Sequence, residues 1–200
     1  MEKRNLALFD FDGTISDRDS FLLFVRKTVG TGRFCAGMAR LAPQIGRFLL
    51  KCYPNQNLKE DVLTCFFQGY PLTSFTNAAE KFCRETVPLI LRREAEARLC
   101  WHLEQGDRVA VVSATPELIL APWCRERGLD LLATRLQVAD GILSGRIEGE
   151  NFRGMVKVAQ IKNKYRLGDY KEIYAYGDTS GDKPMLAMAT HSFYRPFRGQ

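Results

Sequence analysis

The sequence predicts an α/β fold: a Rossmann-like parallel sheet with helices on both faces, plus an inserted all-α cap. Short, uninterrupted apolar runs at residues 6–10 and 108–113 are typical of buried parallel strands. After the second of these runs, strand-like and helix-like segments alternate, which favours a sheet covered on both faces. Between the two runs lies a helical stretch from residue 17 to about residue 98. It is too long for one crossover connection, so we expect it to form a separate cap.

Length and composition are compatible with this organisation. A chain of 200 residues can form one core domain with a small insertion, and we expect residues 1–16 and 99–200 to form the core and residues 17–98 the cap. No stretch approaches the roughly 20 apolar residues that span a bilayer, and the N-terminus lacks a secretory signal pattern. The six cysteines include no CxxC pair, so we expect reduced, mostly buried thiols in a cytoplasmic protein.

Within the predicted cap, apolar residues recur at steps of three and four over residues 34–52, which predicts an amphipathic helical stretch. Pro43 should start a new turn or kink the helix there. Residues 58–67 and 74–87 predict two further helices. Residues 88–106 predict a longer helix that ends at Gly106. The apolar residues that recur over residues 34–52, called the apolar stripe below, are Phe34, Met38, Leu41, Ile45, Phe48 and Cys52.

In the predicted core, residues 114–128 indicate a helix with Pro116 in its first turn. Residues 129–138 predict a third strand, and residues 139–150 alternate around two turn dipeptides as a small hairpin does. A helix at 156–168, a fourth strand at 172–178, a short helix at 182–189 and a last strand at 191–196 complete the expected elements.

Polar residues follow three of the predicted strands. Asp10 and Asp12 follow the first, Ser113 ends the second, and Asp178 follows the fourth. The carboxyl ends of parallel strands meet at one edge, where ligands of such sheets bind. Carboxylates gathered there repel one another unless a cation lies among them. Because the candidate ligands are oxygens, without histidine or thiolate, the pattern favours Mg²⁺.

Four motifs occur in a fixed order along the chain: DFDGT, VVSAT, the lysine of GMVKVAQI, and GDTSGDKPML. With them the chain resembles the haloacid dehalogenase superfamily, in its phosphoserine-phosphatase-like branch with a helical cap after the first motif. The resemblance implies that Asp10 is the nucleophile that forms an aspartyl-phosphate. It implies that Asp12 is the general acid and then the base. Relatives that cleave carbon–halogen bonds lack this second aspartate, so phosphate chemistry is favoured.

The same resemblance implies a Mg²⁺ site and a phosphate site. Mg²⁺ would be held by the Asp10 carboxylate, the Asp12 carbonyl and Asp178, with Asp182 as a further ligand or an orienting group. Structural alternatives remain: Ser113 could cap a helix, and Asp182 could be a helix N-terminal carboxylate. The implied substrate-binding residues are Gly13, Thr14, Asp19, Ser113, Ala114 and Lys157. We expect His102 and His191 to be structural.

The substrate is less well defined by the sequence. Phosphoserine-specific relatives place an acidic residue at the position of Asp19 to meet the amino group. They also carry a cap arginine for the carboxylate, whose counterpart falls near Leu63 in a segment without arginine, which disfavours phosphoserine. The C-terminal half also resembles bacterial phosphatidylglycerophosphatase C. The apolar cap segment of those enzymes corresponds to residues 37–52, which here are interrupted by charge.

The preferred hypothesis is therefore a Mg²⁺-dependent phosphomonoesterase for a small organic phosphate. Phosphoserine phosphatase, lipid-phosphate phosphatase, transfer to an acceptor other than water, and a non-catalytic phosphate-binding module are the alternatives. A basic strip in the cap could lie on anionic lipid, although a solvated face is favoured. The net charge of +6 is moderate and its residues are dispersed, so we expect no nucleic-acid partner. The basic strip in the predicted cap consists of Arg33, Arg40 and Arg47.

Overall fold

Six strands form one sheet in the computed structural model, which describes residues 3–198. They are β1 (Leu6–Phe9), β2 (Arg108–Pro116), β3 (Asp130–Ala139), β4 (Ile142–Glu148), β5 (Ile173–Gly177) and β6 (His191–Tyr194). Their spatial order is β4-β3-β2-β1-β5-β6, and every neighbouring pair is parallel except β3 with β4. The α/β fold class predicted from the sequence is confirmed.

Five helices follow β1: α1 (Ser20–Val29), α2 (Thr31–Arg40), α3 (Ala42–Leu49), α4 (Asn55–Phe67) and α5 (Leu72–Glu85). A sixth, α6 (Arg93–Glu104), leads into β2. The remaining helices are α7 (Glu117–Glu126), α8 (Met155–Lys164) and α9 (Lys183–Ala187). Among residues 3–198, no helix combines the length and the hydropathy that a bilayer crossing requires.

The central strand β1 is buried along its whole length because both of its faces are covered. Ala7 and Phe9 belong to one hydrophobic cluster, while Leu6 and Leu8 belong to a second on the opposite face. This is the alternation expected where helices cover both sides of a parallel sheet. The first cluster also contains Phe67 of α4, so the helices of the predicted cap share a continuous core with one face of the sheet.

The predicted amphipathic stretch is divided into α2 and α3, with Pro43 in the first turn of α3 as expected. Leu41, between the two helices, is buried, and Phe34 packs against the core. The three arginines of the basic strip are exposed, so the strip is the solvent face. The apolar stripe ends before Cys52, which is exposed. Of the six cysteines only Cys83 and Cys124 are buried, so the expectation of mostly buried thiols was wrong; all six are free.

The prediction of one helix over residues 88–106 was wrong in its first part. A 3-10 turn (Val87–Leu89) and an extended segment precede α6. In this extended segment the backbone pairs with the segment that follows β1: Asp17 N donates to Ile90 O and Arg92 N donates to Ile15 O, each at 2.8 Å. These backbone groups are therefore not available for helical hydrogen bonds. The predicted division between residues 98 and 99 falls within α6. Residues 1, 2, 199 and 200 of the predicted core lie outside the described residues.

Strand β2 is longer than predicted and the helix after it begins later. The strand continues to Pro116, which pairs with Thr134 after a register shift. Pro116 therefore precedes α7 instead of lying in its first turn. The Ser113 hydroxyl accepts a hydrogen bond from Thr115 N at 3.0 Å, at the place where the pairing of β2 with β3 shifts register. The β3–β4 hairpin is confirmed, with positive φ at Asp140 and Gly141 as a type I′ turn requires.

Candidate active site

The carboxyl ends of β1, β2 and β5 meet at one edge of the sheet, as the parallel order requires. Asp10 and Asp178 follow β1 and β5, Ser113 lies in the last part of β2, and all three are buried. Lys157 reaches the same edge from the first turn of α8 and is also buried. A buried lysine does not lie on a solvated helix face, so Lys157 differs from its exposed neighbours Lys162 and Lys164.

Lys157 is held at the centre of this edge by three hydrogen bonds. Its Nζ donates to Asp10 Oδ1, Asp182 Oδ1 and Val112 O, each at 2.7 Å, which uses all three ammonium protons. Burial would lower the pKa of Lys157, but the two carboxylates outweigh it and raise the pKa. Burial raises the pKa of Asp10 to about 7, although Lys157 opposes that shift. The lysine thus compensates two buried carboxylates.

Asp12 lies in a different environment from Asp10. Its Oδ1 accepts from Ser20 N at 2.7 Å and its Oδ2 accepts from the Thr115 hydroxyl at 2.6 Å. Burial raises the pKa of Asp12, and the negative charge of Asp19 adds to that effect. A carboxyl group with a raised pKa retains a proton more readily, which is the property that a general acid needs.

Asp182 organises the loop after β5. Its Oδ2 accepts from Thr179 N at 2.8 Å, from the Thr179 hydroxyl at 2.9 Å and from Asp178 N at 3.2 Å, while its Oδ1 accepts from Lys157. Burial would raise the pKa of Asp182, but the Lys157 charge and these hydrogen bonds lower it. Both oxygens are therefore engaged, which favours an orienting role over direct ligation of a metal.

Asp178 has the features of a cation ligand. Its Oδ1 is buried and has no hydrogen-bond partner among the described residues. Its Oδ2 accepts from Arg198 Nη2 at 2.5 Å, and Arg195 Nε lies 3.5 Å from Oδ1. Gly13 has a φ of +82°, and a Cβ there would overlap the Asp178 carboxylate. The carboxylate thus lies closely against the Gly13 backbone, where only glycine leaves room.

The available donors fit Mg²⁺. Asp10 and Asp178 follow the neighbouring strands β1 and β5, and the Asp12 carbonyl could supply a third oxygen. Within the described residues, no group of three or more His, Cys, Asp or Glu side chains could hold a metal ion. A site here would therefore need the backbone oxygen of Asp12 in addition to the two carboxylates. The unsatisfied Asp178 Oδ1 is the observation that favours a cation at this place.

A cavity of about 180 Å³ opens at this edge. Typical pockets for drug-sized ligands measure roughly 300–1,000 Å³, so this one suits a smaller molecule. Of the predicted site residues, Ser113, Gly13, Thr14 and Asp178 are not among its walls; Thr14 instead donates to Asp10 Oδ2 at 3.3 Å. The lining residues are Asp10, Asp12, Asp19, Phe21, Asn55, Lys59, Ala114, Thr115, Arg153, Lys157, Thr179, Gly181 and Asp182.

Two cationic side chains at this cavity were missed by the sequence analysis. Lys59 of α4 donates to Ala114 O at 2.6 Å and to Asn151 Oδ1 at 2.7 Å, and Arg153 Nη2 donates to the Ser180 hydroxyl at 3.3 Å. Lys59 lies in the predicted helix over residues 58–67, where the resemblance pointed to an arginine, and its charge is the signal that could have indicated it. Leu63, near the expected arginine position, is buried in the core.

Three other predicted residues have identifiable structural contacts. Asp19 lines the cavity while its Oδ1 accepts from Leu22 N at 2.8 Å, which caps α1. His102 is fully buried between Asp107 and the Tyr176 hydroxyl, at 2.7 and 2.9 Å, and burial lowers its pKa. His191 stacks on the Tyr174 ring at the far end of the sheet. Neither histidine lines the cavity.

Comparison with known proteins gives consistent matches. The family model described as haloacid dehalogenase-like hydrolase matches residues 7–187. Protein CicA of Caulobacter vibrioides is 36% identical over 197 residues, which cover 98% of this chain and 87% of that protein. A probable phosphatase of Mycobacterium tuberculosis is 27% identical over 206 residues, covering 98% of this chain and 70% of that protein.

The fold is also found among solved structures. A substrate-bound phosphoserine phosphatase superposes with a TM-score of 0.69 and 19% sequence identity. The match covers 97% of this chain and 87% of that protein. Because the match covers nearly the whole chain, it includes the helices between β1 and β2 as well as the sheet.

Proposed function

The chain belongs to the haloacid dehalogenase-like hydrolase family, and we propose that it is a Mg²⁺-dependent phosphomonoesterase that acts through an aspartyl-phosphate on a small organic phosphate. One observation carries the proposal: the buried Asp10 carboxylate is paired with Lys157, and a second carboxyl group, Asp12, lines the same small cavity. A phosphate-binding module without catalysis has no need of the second carboxyl group.

Asp10 is the proposed nucleophile. Lys157 holds its Oδ1, whereas its Oδ2 has only a long contact, 3.3 Å, with the Thr14 hydroxyl and remains available for attack. Bond formation between this oxygen and phosphorus breaks the bond from phosphorus to the ester oxygen. A carboxylate that approaches a phosphate dianion is repelled by about 4 kcal/mol for each pair of charges at 4 Å, at an effective dielectric of 20. The Lys157 charge reduces this barrier.

Asp12 is the proposed acid and base. It donates its proton to the ester oxygen as the alcohol leaves, and the resulting carboxylate then takes a proton from the water that attacks the aspartyl-phosphate. Ser20 N and the Thr115 hydroxyl fix the orientation of this group. Because these two donors come from α1 and β2, the acid is positioned by both the cap and the core.

Mg²⁺ would be held by the Asp10 carboxylate, the Asp12 carbonyl and Asp178, where it would offset the phosphate charge. Ser113 would lie beside the phosphate, and the amides after Asp10 and at Ala114 would contribute donors. Asp182 would keep Lys157 and the Asp178 loop in place. We also propose that α1–α5 form the cap that selects the leaving group.

Phosphate release with an acid-quench assay tests this function. The purified protein, the Asp10→Asn variant and a chelator-treated sample are compared on small phosphomonoesters. We expect Mg²⁺-dependent release by the wild type and at least a thousandfold loss in Asp10→Asn, since that variant lacks the nucleophile. A radiolabelled phosphoryl group should remain on quenched wild-type protein and be absent from Asp10→Asn. Undiminished turnover by Asp10→Asn would contradict the mechanism.

A second candidate, a lipid-phosphate phosphatase, is favoured by one surface feature. Leu49 and Leu50 at the end of α3 are 73% and 76% exposed, and Arg47 and Lys51 flank them. An apolar tip between basic residues suits an anionic membrane surface. Hydrolysis of phosphatidylglycerophosphate in vesicles, compared with glycerol phosphate in solution, separates the two functions. A strong preference for the lipid would support the second.

A further inference from the structure

The leaving-group side of the cavity contains two cationic side chains without an acidic partner. Among the ion pairs within residues 3–198, none involves Lys59 or Arg153. Both line the cavity that also contains Asp10 and Asp12. Four carboxyl groups line the same cavity, but Asp10 and Asp182 are paired with Lys157, and within residues 3–198 neither Asp12 nor Asp19 lies within ion-pair distance of Lys59 or Arg153. The positive charges of Lys59 and Arg153 can therefore attract an anionic group of a substrate.

Lys59 is bound in a way that leaves a donor for a ligand. Its ammonium group has three protons, and the two acceptors it contacts, Ala114 O and Asn151 Oδ1, are both neutral. Its nitrogen also lies 5.9 Å from the centre of the Phe21 ring, which restricts access of water on that side. Burial lowers the pKa of Lys59 to about 8, although the negative charges of Asp12 and Asp19 oppose that shift. An ammonium group without a carboxylate partner is prepared to receive an anion.

Arg153 reaches the cavity from the segment that precedes α8. Its Nη2 donates to the Ser180 hydroxyl at 3.3 Å, and its side chain packs on Gly181, where an added Cβ would lie 2.8 Å from Arg153 Cγ. The guanidinium thus lies over the loop after β5 and retains further N–H donors. Lys59 and Arg153 therefore reach the same cavity from different elements, Lys59 from α4 and Arg153 from the segment before α8.

The position of Lys59 indicates which part of the substrate it meets. It binds the carbonyl of Ala114, and the next residue, Thr115, donates to the carboxyl group of Asp12. Asp12 is the group that protonates the leaving oxygen in the proposed mechanism. Lys157, which compensates the nucleophile, already uses all its protons on protein acceptors. Lys59 accordingly lies beside the leaving group.

We propose that Lys59 and Arg153 form a subsite for a second anionic group, so that the substrates are short phosphomonoesters whose leaving part bears a carboxylate or a second phosphate. This inference rests on the proposed function and specifies its substrate class. The cavity volume of about 180 Å³ requires that the second anion be only a few atoms from the ester oxygen. Phosphoserine also contains a carboxylate, but its amino group needs an acidic partner, for which Asp19 is the candidate.

Four two-carbon phosphomonoesters test the inference because they differ only at the far end. Ethyl phosphate ends in a methyl group, phosphoglycolate in a carboxylate, ethylene glycol bisphosphate in a phosphate and phosphoethanolamine in an amine. A charged hydrogen bond contributes roughly 1.5–3 kcal/mol, which corresponds to a factor of about 10–100. We expect kcat/KM for at least one of the two anionic esters to exceed that for ethyl phosphate by this factor. Equal values for all four would overturn the inference.

Variants distinguish anion recognition from a structural role of Lys59. In Lys59→Met and Arg153→Gln we expect the preference for the anionic ester to fall at least about tenfold, mainly through KM. Lys59→Arg, which keeps the positive charge, should retain most of the preference for the anionic ester. Lys81→Met, on the exposed face of α5, removes the same charge away from the cavity and should keep the preference. If Lys59→Met lowers turnover of all four esters equally, Lys59 only holds the cap and the inference is wrong.

A binding measurement separates failure of this inference from failure of the proposed function. Calorimetric titration of folded Asp10→Asn with phosphoglycolate and with ethyl phosphate reports recognition without turnover. Tighter binding of phosphoglycolate that is lost in Asp10→Asn/Lys59→Met would support the subsite, even if the wild type released no phosphate from any ester. Equal affinity for both ligands would contradict the subsite, whatever the wild-type activity. Phosphoserine in the same titration tests whether Asp19 adds recognition of an amine.

Discussion

At the scale of single residues, the site depends on how buried charges are compensated. Lys157 is surrounded by Asp10 and Asp182, and the three groups form one buried unit. The resemblance to the family motifs indicated all three residues, and the meeting of parallel strand ends at one edge accounts for the position of Asp10. The chain could not reveal that Lys157 uses all its protons on protein, nor that Lys59 lies in the cavity. Such facts depend on side-chain placement across elements that are distant in sequence.

Removal of Lys157 should be costly for both folding and activity. Lys157→Met leaves two buried carboxylates without their partner, and breaking a buried pair in this way costs about 3–5 kcal/mol. Urea unfolding measures the free energy directly. Lys162→Met, on the exposed part of the same helix, is the matched control and should change stability by less than about 0.5 kcal/mol. Equal stability of the two variants would mean that the ion pairs contribute nothing.

Arg198 should compete with a cation for Asp178. Its guanidinium lies 2.5 Å from Asp178 Oδ2, so a metal ion at this carboxylate would have to share it or displace it. We expect Arg198→Gln to tighten Mg²⁺ binding roughly two- to fivefold, the range of a partly exposed ion pair. Calorimetric titration with Mg²⁺ alone measures this without reference to turnover. Arg84→Gln, on the exposed side of α5, controls for net charge, and weaker Mg²⁺ binding by Arg198→Gln would contradict the prediction.

At the scale of elements, the cap is connected to the core by backbone contacts as well as by side chains. Helix α4, which carries Lys59, packs against β4 at Gly145, whose φ is +81°. A Cβ at Gly145 would lie 2.7 Å from Thr64 Cα. Sequence patterns predicted both elements because the hairpin and the helix have clear local signals. Their mutual contact was not predictable, since periodicity describes one element at a time.

Substitution of Gly145 tests this contact. Gly145→Ala should destabilise the protein by about 2–5 kcal/mol, because strain at positive φ adds to the overlap with α4. Gly128→Ala is the matched control, since its φ is +65° but a Cβ there would meet open space. It should cost only about 1–2 kcal/mol. Chemical denaturation of both variants gives the difference, and equal losses would show that α4 moves away freely.

Helix α6 and strand β5 are joined by the buried His102, which should make stability depend on pH. Burial lowers the pKa of His102 in the folded state, despite Asp107. The unfolded chain therefore binds a proton more readily, so the contribution of His102 to stability is present above its unfolded pKa, about 6.5, and decreases as the pH falls below it. Unfolding at pH 7.5 and 5.5 should show a smaller loss for His102→Gln than for the wild type. An equal loss would exclude this residue as the cause.

At the scale of the whole molecule, the sequence predicted the architecture but not the hydrophobic contacts that join its parts. The alternation of strands and helices was sufficient to predict a parallel sheet with helices on both faces. The cap was expected as a distinct unit because its helical stretch is long. In the structure Phe67 of α4 lies in the same cluster as Phe9 of β1 and Trp123 of α7. Which faces pack together depends on three-dimensional arrangement, and a single sequence does not specify it.

A shared core predicts that cap and sheet unfold together. Phe67 is completely buried and its ring lies 5.9 Å from that of Phe24 and 5.0 Å from that of Phe75, so Phe67→Ala should cost about 3–5 kcal/mol. If the core is continuous, the whole molecule loses this stability in one transition. In a Trp101→Phe background, which removes the other tryptophan, fluorescence reports the buried Trp123 on the sheet side, and far-ultraviolet circular dichroism is dominated by the helices. The two signals should then share one midpoint in this parent protein and again share one, at lower denaturant, in its Phe67→Ala variant. Because Phe67 belongs to the cap and Trp123 to the core, a variant whose helical signal is lost before its fluorescence changes would instead show two units that fold independently.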